Sequence, residues 1–162
     1  SGQYGGQWQV PGWVGPVHDP AVFDALTGAA DPEIKRLGAA IVRAPAGSAS
    51  RRDLVRRRRA LSRDLMQQLH DLYHLVNFRG ERRSLVEVFH GPGRPPSGTG
   101  DCCGPKLLQH AATNGLVPES MAEFFWGESG ASAARMHAGG YPACAAKCQP
   151  ILGFILCGLE GR

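Results

Sequence analysis

Pro95-Pro96-Ser97-Gly98-Thr99-Gly100-Asp101-Cys102-Cys103-Gly104-Pro105-Lys106-Leu107-Leu108 is the stretch on which the reading of this chain turns. A stiff, glycine-rich approach delivers two thiols to the start of a predicted helix, with Pro105 in the first turn, where proline is tolerated. Further on, Tyr141-Pro142-Ala143-Cys144-Ala145-Ala146-Lys147-Cys148 presents two more thiols. Thiolates converging at helix starts form a soft-metal site. A helix N-terminus also lowers the pKa of a thiol placed there, which singles out Cys102. Cys103 or a His as fourth ligand would close the site and make it structural, whereas an open position would permit chemistry. The plainer alternative is that these cysteines are small buried hydrophobes.

The rest of the composition frames that question. At 162 residues the chain suits one domain, or one domain and an extension, and a chain of this size buries roughly 70% of its unfolded surface. It carries 22 glycines and 12 prolines, which implies long irregular connections. Five cysteines are an odd number, which argues against a secreted disulfide framework and for reduced thiols in a cytoplasm. No apolar run of about 18 residues exists, so no membrane-spanning helix is expected. Ser1-Gly2-Gln3-Tyr4 has neither an initiator Met nor a signal-peptide pattern, and reads as a cut edge of something longer.

Three regions are expected along the chain. Residues 1–47 form an extended arm with Trp8 and Trp13 as anchors, followed by a short helix begun by Asp31-Pro32 and ended by Pro45 and Gly47. Residues 48–78 carry a long helix from about Arg51 to Val76, with Leu54, Leu61, Leu65, Leu69, Leu72 and Val76 as its apolar stripe. Residues 79–162 form a small α/β domain. In it Ser84 to His90 and Met121 to Trp126 read as strands, Gly104 to Thr113 and Gln149 to Leu159 as helices. Gly127 to Gly140 reads as a mobile polar loop. The fold class is α+β: a long basic helix joined to a small α/β domain with a cysteine-rich site.

The long helix is basic at its start. Arg51, Arg52, Arg56, Arg57, Arg58, Arg59 and Arg63 fall in 13 residues with only Asp53 against them, although the whole chain has a net charge of only +4. Consecutive residues lie about 100° apart around a helix, so Arg56 to Arg59 encircle it and that turn cannot sit in a core. A solvated helix face is the ordinary explanation; a phosphate-binding surface for nucleic acid is the functional one. His70 and His74, four apart, flank the apolar stripe and read as edge packing rather than as a metal pair. Trp126, like Trp8 and Trp13, packs by default, with base stacking as the alternative.

For the thiols, a nucleobase deaminase is one catalytic reading, since those enzymes combine a His or Cys ligand with a paired CxxC after a proline and a glutamate acid/base. Two departures count against it. Cys144 and Cys148 are a CxxxC, and Gly104 stands where Cys-x-Glu would place the glutamate. Glu123 would replace it only if its segment points at the metal; a capping or solvated role is the expectation.

Several blocks also resemble a known extension. They are Arg79-Gly80-Glu81, Pro95 through Cys102, Pro105-Lys106-Leu107-Leu108, Met121-Ala122-Glu123-Phe124-Phe125-Trp126-Gly127, and Tyr141-Pro142-Ala143-Cys144 through Lys147-Cys148-Gln149-Pro150-Ile151-Leu152. Together with Gly6 to Gly12 and the arginine-rich helix, they resemble the long N-terminal region of some bacterial pseudouridine synthases of the RluA type. The resemblance covers nearly the whole chain. It implies an accessory region that binds ribosomal or transfer RNA, attached to a C-terminal domain that isomerises uridine with the aspartate of an Arg-Leu-Asp motif. That motif is absent here, since Asp53 and Asp64 follow Arg alone, so the resemblance puts the catalytic domain after Arg162. It also favours Cys102, Cys144 and Cys148 as the shared thiols, with Cys103 an addition. The expected protein is thus a non-catalytic, cytoplasmic RNA-binding region in which a structural Zn²⁺ clasps two helices. A deaminase-like domain and a protein-interaction module built on the long helix are the alternatives.

Overall fold

In the computed structural model, which describes residues 3–128 and 135–160, the first helix begins at Asp19-Pro20. Asp19 Oδ1 accepts from the N–H groups of Ala21 at 2.8 Å and Val22 at 3.3 Å, and proline occupies the first turn. The same Asp-Pro logic had pointed to Asp31-Pro32, but Pro32 lies inside this helix, α1 (Pro20–Arg43). The arm is therefore shorter and the helix longer than expected. Pro32 costs α1 one internal hydrogen bond, which the long helix absorbs through its packing against α2.

Helix α2 (Ala49–Asp71) follows a turn through Gly47, and Ser48 Oγ accepts from Arg51 N–H at 3.1 Å as its cap. It ends short of Val76. Residues 74–76 leave the helical path to form strand β1 (His74–Val76), which pairs antiparallel with β2 (Arg82–Ser84): His74 opposite Ser84, Leu75 opposite Arg83, Val76 opposite Arg82. Asn77 builds the turn between them, its Oδ1 accepting from the N–H groups of both Arg79 and Glu81 at 3.0 Å. Cross-strand pairing thus overrides the continuity of the apolar stripe. His70, buried at the end of α2, and His74, on β1, do not share a helix face.

Ser84-Leu85-Val86-Glu87 is a capping box rather than a strand. Glu87 Oε2 accepts from the Ser84 N–H at 2.8 Å, and Ser84 Oγ accepts from the Glu87 N–H at 3.4 Å, starting helix α3 (Leu85–Val88). The apolar, β-branched run masked a Ser-x-x-Glu signal that was present in the sequence. Residues 121–126 form no regular strand either. They make one bridge, Phe124 to Gly140, flanked by the Tyr141 N–H to Glu123 carbonyl bond of 3.2 Å. The middle of the expected loop, residues 129–134, lies outside the described residues. Helix α4 (Cys103–Thr113) forms where the sequence placed it, and α5 (Gln149–Ile155) starts as expected but ends four residues before Leu159.

The chain divides into two units, His18–Tyr73 and a second made of Ser1–Val17 with His74–Arg162. In the first, α1 and α2 pack as a hairpin whose buried residues include Leu37, Leu65 and Leu69. In the second, Leu75, Leu85, Val88, Leu108, Ile151 and Ile155 form the core. The Phe78 N–H bonds the Cys157 carbonyl at 2.9 Å and the His90 N–H bonds that of Pro150 at 3.2 Å, fixing α5 to the strands and α3. The architecture is α+β, helices with one two-stranded sheet. Among the described residues no helix is long and apolar enough to cross a membrane.

Two glycines near α5 make opposite predictions. Gly158 has φ +97°, and a Cβ there would lie 2.8 Å from the backbone nitrogen of Arg79. Gly153, inside α5, has open space around it. Gly158→Ala should therefore destabilise the protein by more than about 1 kcal/mol, whereas Gly153→Ala should stabilise it by roughly 0.5–1 kcal/mol, both read from urea unfolding midpoints.

Candidate metal centre and arginine face

Cys102 is the N-cap of α4, in extended conformation, and its side chain makes no capping hydrogen bond. Cys148 occupies the corresponding place before α5. Cys144 starts the turn that leads to Cys148: its carbonyl accepts from the N–H groups of Lys147, Cys148 and Gln149, and its Sγ takes the Cys148 N–H at 3.4 Å. The sulfurs of Cys102, Cys144 and Cys148 all lie within 4.8 Å of one another. A tetrahedral ion with metal–sulfur bonds of about 2.3 Å holds its sulfurs about 3.8 Å apart, so this spacing and a three-thiol donor set fit a soft metal. The clasp joins the starts of α4 and α5, which also pack against each other.

Cys103 is exposed and stands outside the group, and so does Cys157; all five cysteines are free thiols. Electrostatics differentiate the three clustered sulfurs. The Cys102 thiol is pulled down to about 6, chiefly by a hydrogen bond from Cys148 and also by one from Cys144, against its burial and the charge of Glu123. Cys148, fully buried, moves strongly upward because it donates to Cys102 and because burial disfavours its thiolate; the Gly100 N–H opposes that shift.

The Gly100 N–H explains the glycine-rich approach. Thr99 is tied back to the Pro96 carbonyl through its Oγ1 at 2.7 Å, and the positive φ of Gly98 and Gly100 turns the chain so that backbone meets sulfur. Glu123 supplies the cap that Cys102 does not: its Oε1 accepts from the Gly104 N–H at 2.7 Å. A Cβ at Gly104 would lie only 3.2 Å from that oxygen. Gly104 is the position where a Cys-x-Glu pattern would carry a glutamate. Here a glutamate carboxylate reaches the same place from the far side of the chain. The residues 123–141 pairing brings it there, which no local spacing could reveal.

The seven arginines separate into groups. Arg51 is half-buried and donates to the Ala44 carbonyl at 3.2 Å, bracing the turn between α1 and α2. Arg58 lies over α1, its Nε 3.9 Å from where a Cβ on Gly38 would be. Arg57 adds its charge to Glu33, whose carboxyl is held below its usual range first by its hydrogen bond with Arg36. Arg52, Arg56, Arg59 and Arg63 remain, spaced four, three and four apart, so at about 100° per residue they form one stripe opposite Leu54, Leu61 and Leu65. All four are exposed. Arg52 donates to the Gly47 carbonyl and Arg56 Nη2 pairs with Asp53 at 2.8 Å. No family model, characterised protein or solved structure matches the chain.

Titration with Cd²⁺ should give a thiolate charge-transfer band saturating at one ion per chain, lost in Cys144→Ser and kept in Cys103→Ser and Cys157→Ser. In metal-free protein Cys102 should alkylate faster than Cys148, at a rate that climbs through about pH 6 and then levels as its thiolate forms. Mass mapping after limited iodoacetamide treatment checks both points.

Proposed function

We propose that this chain is an RNA-gripping accessory region of an RluA-type pseudouridine synthase, with uridine isomerisation in ribosomal or transfer RNA carried by a domain that these residues do not contain. The observation that supports it is the outward stripe of Arg52, Arg56, Arg59 and Arg63, cations in a row on a helix whose opposite face is packed. Guanidinium groups in that arrangement suit successive backbone phosphates and carry no base specificity of their own. Cys102, Cys144 and Cys148 would hold a structural Zn²⁺, whose role is to tie α4 to α5. Three thiolates held by zinc require a reducing compartment, consistent with a cytoplasmic protein.

A second reading has one observation in its favour, the arrival of the Glu123 carboxylate at Gly104 beside Cys102. It would make the second unit a zinc-dependent nucleobase deaminase-like domain with Glu123 as acid/base. The bond from Gly104 N–H favours the capping role. Ammonia release from cytidine- or adenosine-containing RNA by zinc-loaded protein, abolished in Glu123→Gln, would establish the deaminase instead.

The RNA reading is tested by anisotropy with a labelled RNA hairpin. Four phosphate contacts predict that affinity falls about 100-fold between 50 and 200 mM salt, and that removing two of them lowers the log–log salt slope by roughly 1.5. Arg59→Ala with Arg63→Ala should show that loss, and Arg51→Ala a smaller one. Unchanged affinity in the double variant, or salt-insensitive dimerisation through α2 without RNA, would overturn it in favour of a protein-interaction module.

A further inference from the structure

The three clustered sulfurs are not equally committed to the backbone. Cys144 is anchored by its carbonyl, which accepts from the N–H groups of Lys147, Cys148 and Gln149, and by its Sγ, which takes the Cys148 N–H at 3.4 Å. Cys102 stands at the N-cap of α4 and Cys148 at that of α5, yet neither side chain makes a capping hydrogen bond. At Cys102 the cap comes from elsewhere, since the Gly104 N–H donates to Glu123 Oε1 at 2.7 Å. An ordinary N-cap side chain is pinned by the orphan donors of its helix. These two can change rotamer without uncapping anything.

The same two sulfurs touch. The Cys148 thiol donates to Cys102, and with Cys144 all three lie within 4.8 Å of one another. Cys102 is half-buried, so a small solute reaches it, whereas Cys148 is 0% exposed and lies beneath. Paired thiols are oxidised in that order: the accessible sulfur reacts first and a sheltered neighbour resolves it. Competing partners for Cys102 are disfavoured. Cys103 is its chain neighbour, and consecutive Cα atoms lie about 3.8 Å apart, less than the roughly 4.4 Å minimum that a disulfide ordinarily spans. Cys157 lies past the end of α5 and outside the cluster. Cys144 would have to give up the Cys148 N–H.

We propose that Cys102 and Cys148 form a reversible oxidation site for a hydroperoxide, their disulfide taking over the link between α4 and α5. The Cys102 thiolate attacks the terminal peroxide oxygen; the O–O bond breaks, an alkoxide or hydroxide leaves, and Cys102 becomes a sulfenic acid. The Cys148 sulfur then attacks the Cys102 sulfur. An S–S bond forms, the S–O bond breaks, and the departing hydroxide takes the Cys148 proton and leaves as water. The two sulfurs lose two electrons and the peroxide gains them. With two of three ligands consumed, Cys144 alone does not retain Zn²⁺. Oxidation thus exchanges a metal clasp for a covalent one while the helix starts stay joined. Only the release of metal rests on the zinc reading; the disulfide does not.

Treating the reduced, metal-free full chain with hydrogen peroxide, alkylating the remaining thiols and mapping the peptides by mass tests it. A Cys102–Cys148 bridge is expected, reversed by dithiothreitol. Cys103→Ser, Cys144→Ser and Cys157→Ser should all keep it. Cys102→Ser, a change to a good N-cap residue, should form no bridge to Cys148 and should slow peroxide consumption about tenfold. The bridged chain should keep its circular dichroism and unfold at higher urea than the reduced metal-free chain, because the crosslink closes a long loop. Peroxide added to zinc-loaded protein should release about one ion per chain to a chromogenic chelator. Cys144→Ser separates the two readings, since it should lose the metal and keep the disulfide. A chain that takes up no zinc yet forms the bridge overturns the clasp and supports the oxidation site. Accumulation of sulfinic acid at Cys102, or a bridge that instead joins Cys144 to Cys148 or two chains through Cys103, overturns the proposal.

Discussion

The contact between the sulfurs of Cys102 and Cys148 is the constraint on which the second unit depends. Two helix starts, separated by a long loop and an irregular hairpin, converge on this point. Three thiolates so close together would repel one another in the metal-free protein. The cluster therefore shares protons unequally: Cys102 is drawn toward thiolate and the buried Cys148 held as a donor. A soft cation would relieve that repulsion for all three sulfurs, which is why the geometry favours a clasp.

Around that point the backbone is arranged to spend its hydrogen bonds on sulfur and carboxylate. Gly100 turns its N–H to Cys148, Cys148 turns its own to Cys144, and Gly104 gives its N–H to Glu123. Each of these donors belongs to a loop or helix end that would otherwise need water. The glycine at 104 is a matter of space, because a side chain there would displace the carboxylate. The residue that weakens the resemblance to a deaminase motif is thus the one that admits an acid from elsewhere in the chain.

The first unit follows a different logic. Its helices pack through a small apolar seam, and the Arg58 guanidinium lies over Gly38. What looks in sequence like one undivided basic cluster is therefore partly structural. Arg52, Arg56, Arg59 and Arg63 form the outward stripe.

Much of this was legible beforehand. The choice of Cys102 over Cys103 as the partner of Cys144 and Cys148 came from the family resemblance, whereas the starts of α4 and α5, the Ser48 entry to α2 and the arginine-rich turn follow from local spacing, capping chemistry and helical period. Those are short-range properties, and a chain displays them wherever it folds. Four readings went astray, the strand expected over Met121 to Trp126 among them. Asp31-Pro32 looked like a start because Asp19-Pro20 could not be ranked above it locally. Val76 looked helical because its pairing partner, Arg82, comes from beyond a turn. Residues 84–90 looked like a strand because apolar content outweighed a Ser-x-x-Glu cap. Tertiary structure alone decided that Arg58 lies over Gly38 and that Glu123 caps α4 beside Cys102. Each depends on segments far apart in sequence meeting in space, and no periodicity within one segment encodes where another will arrive.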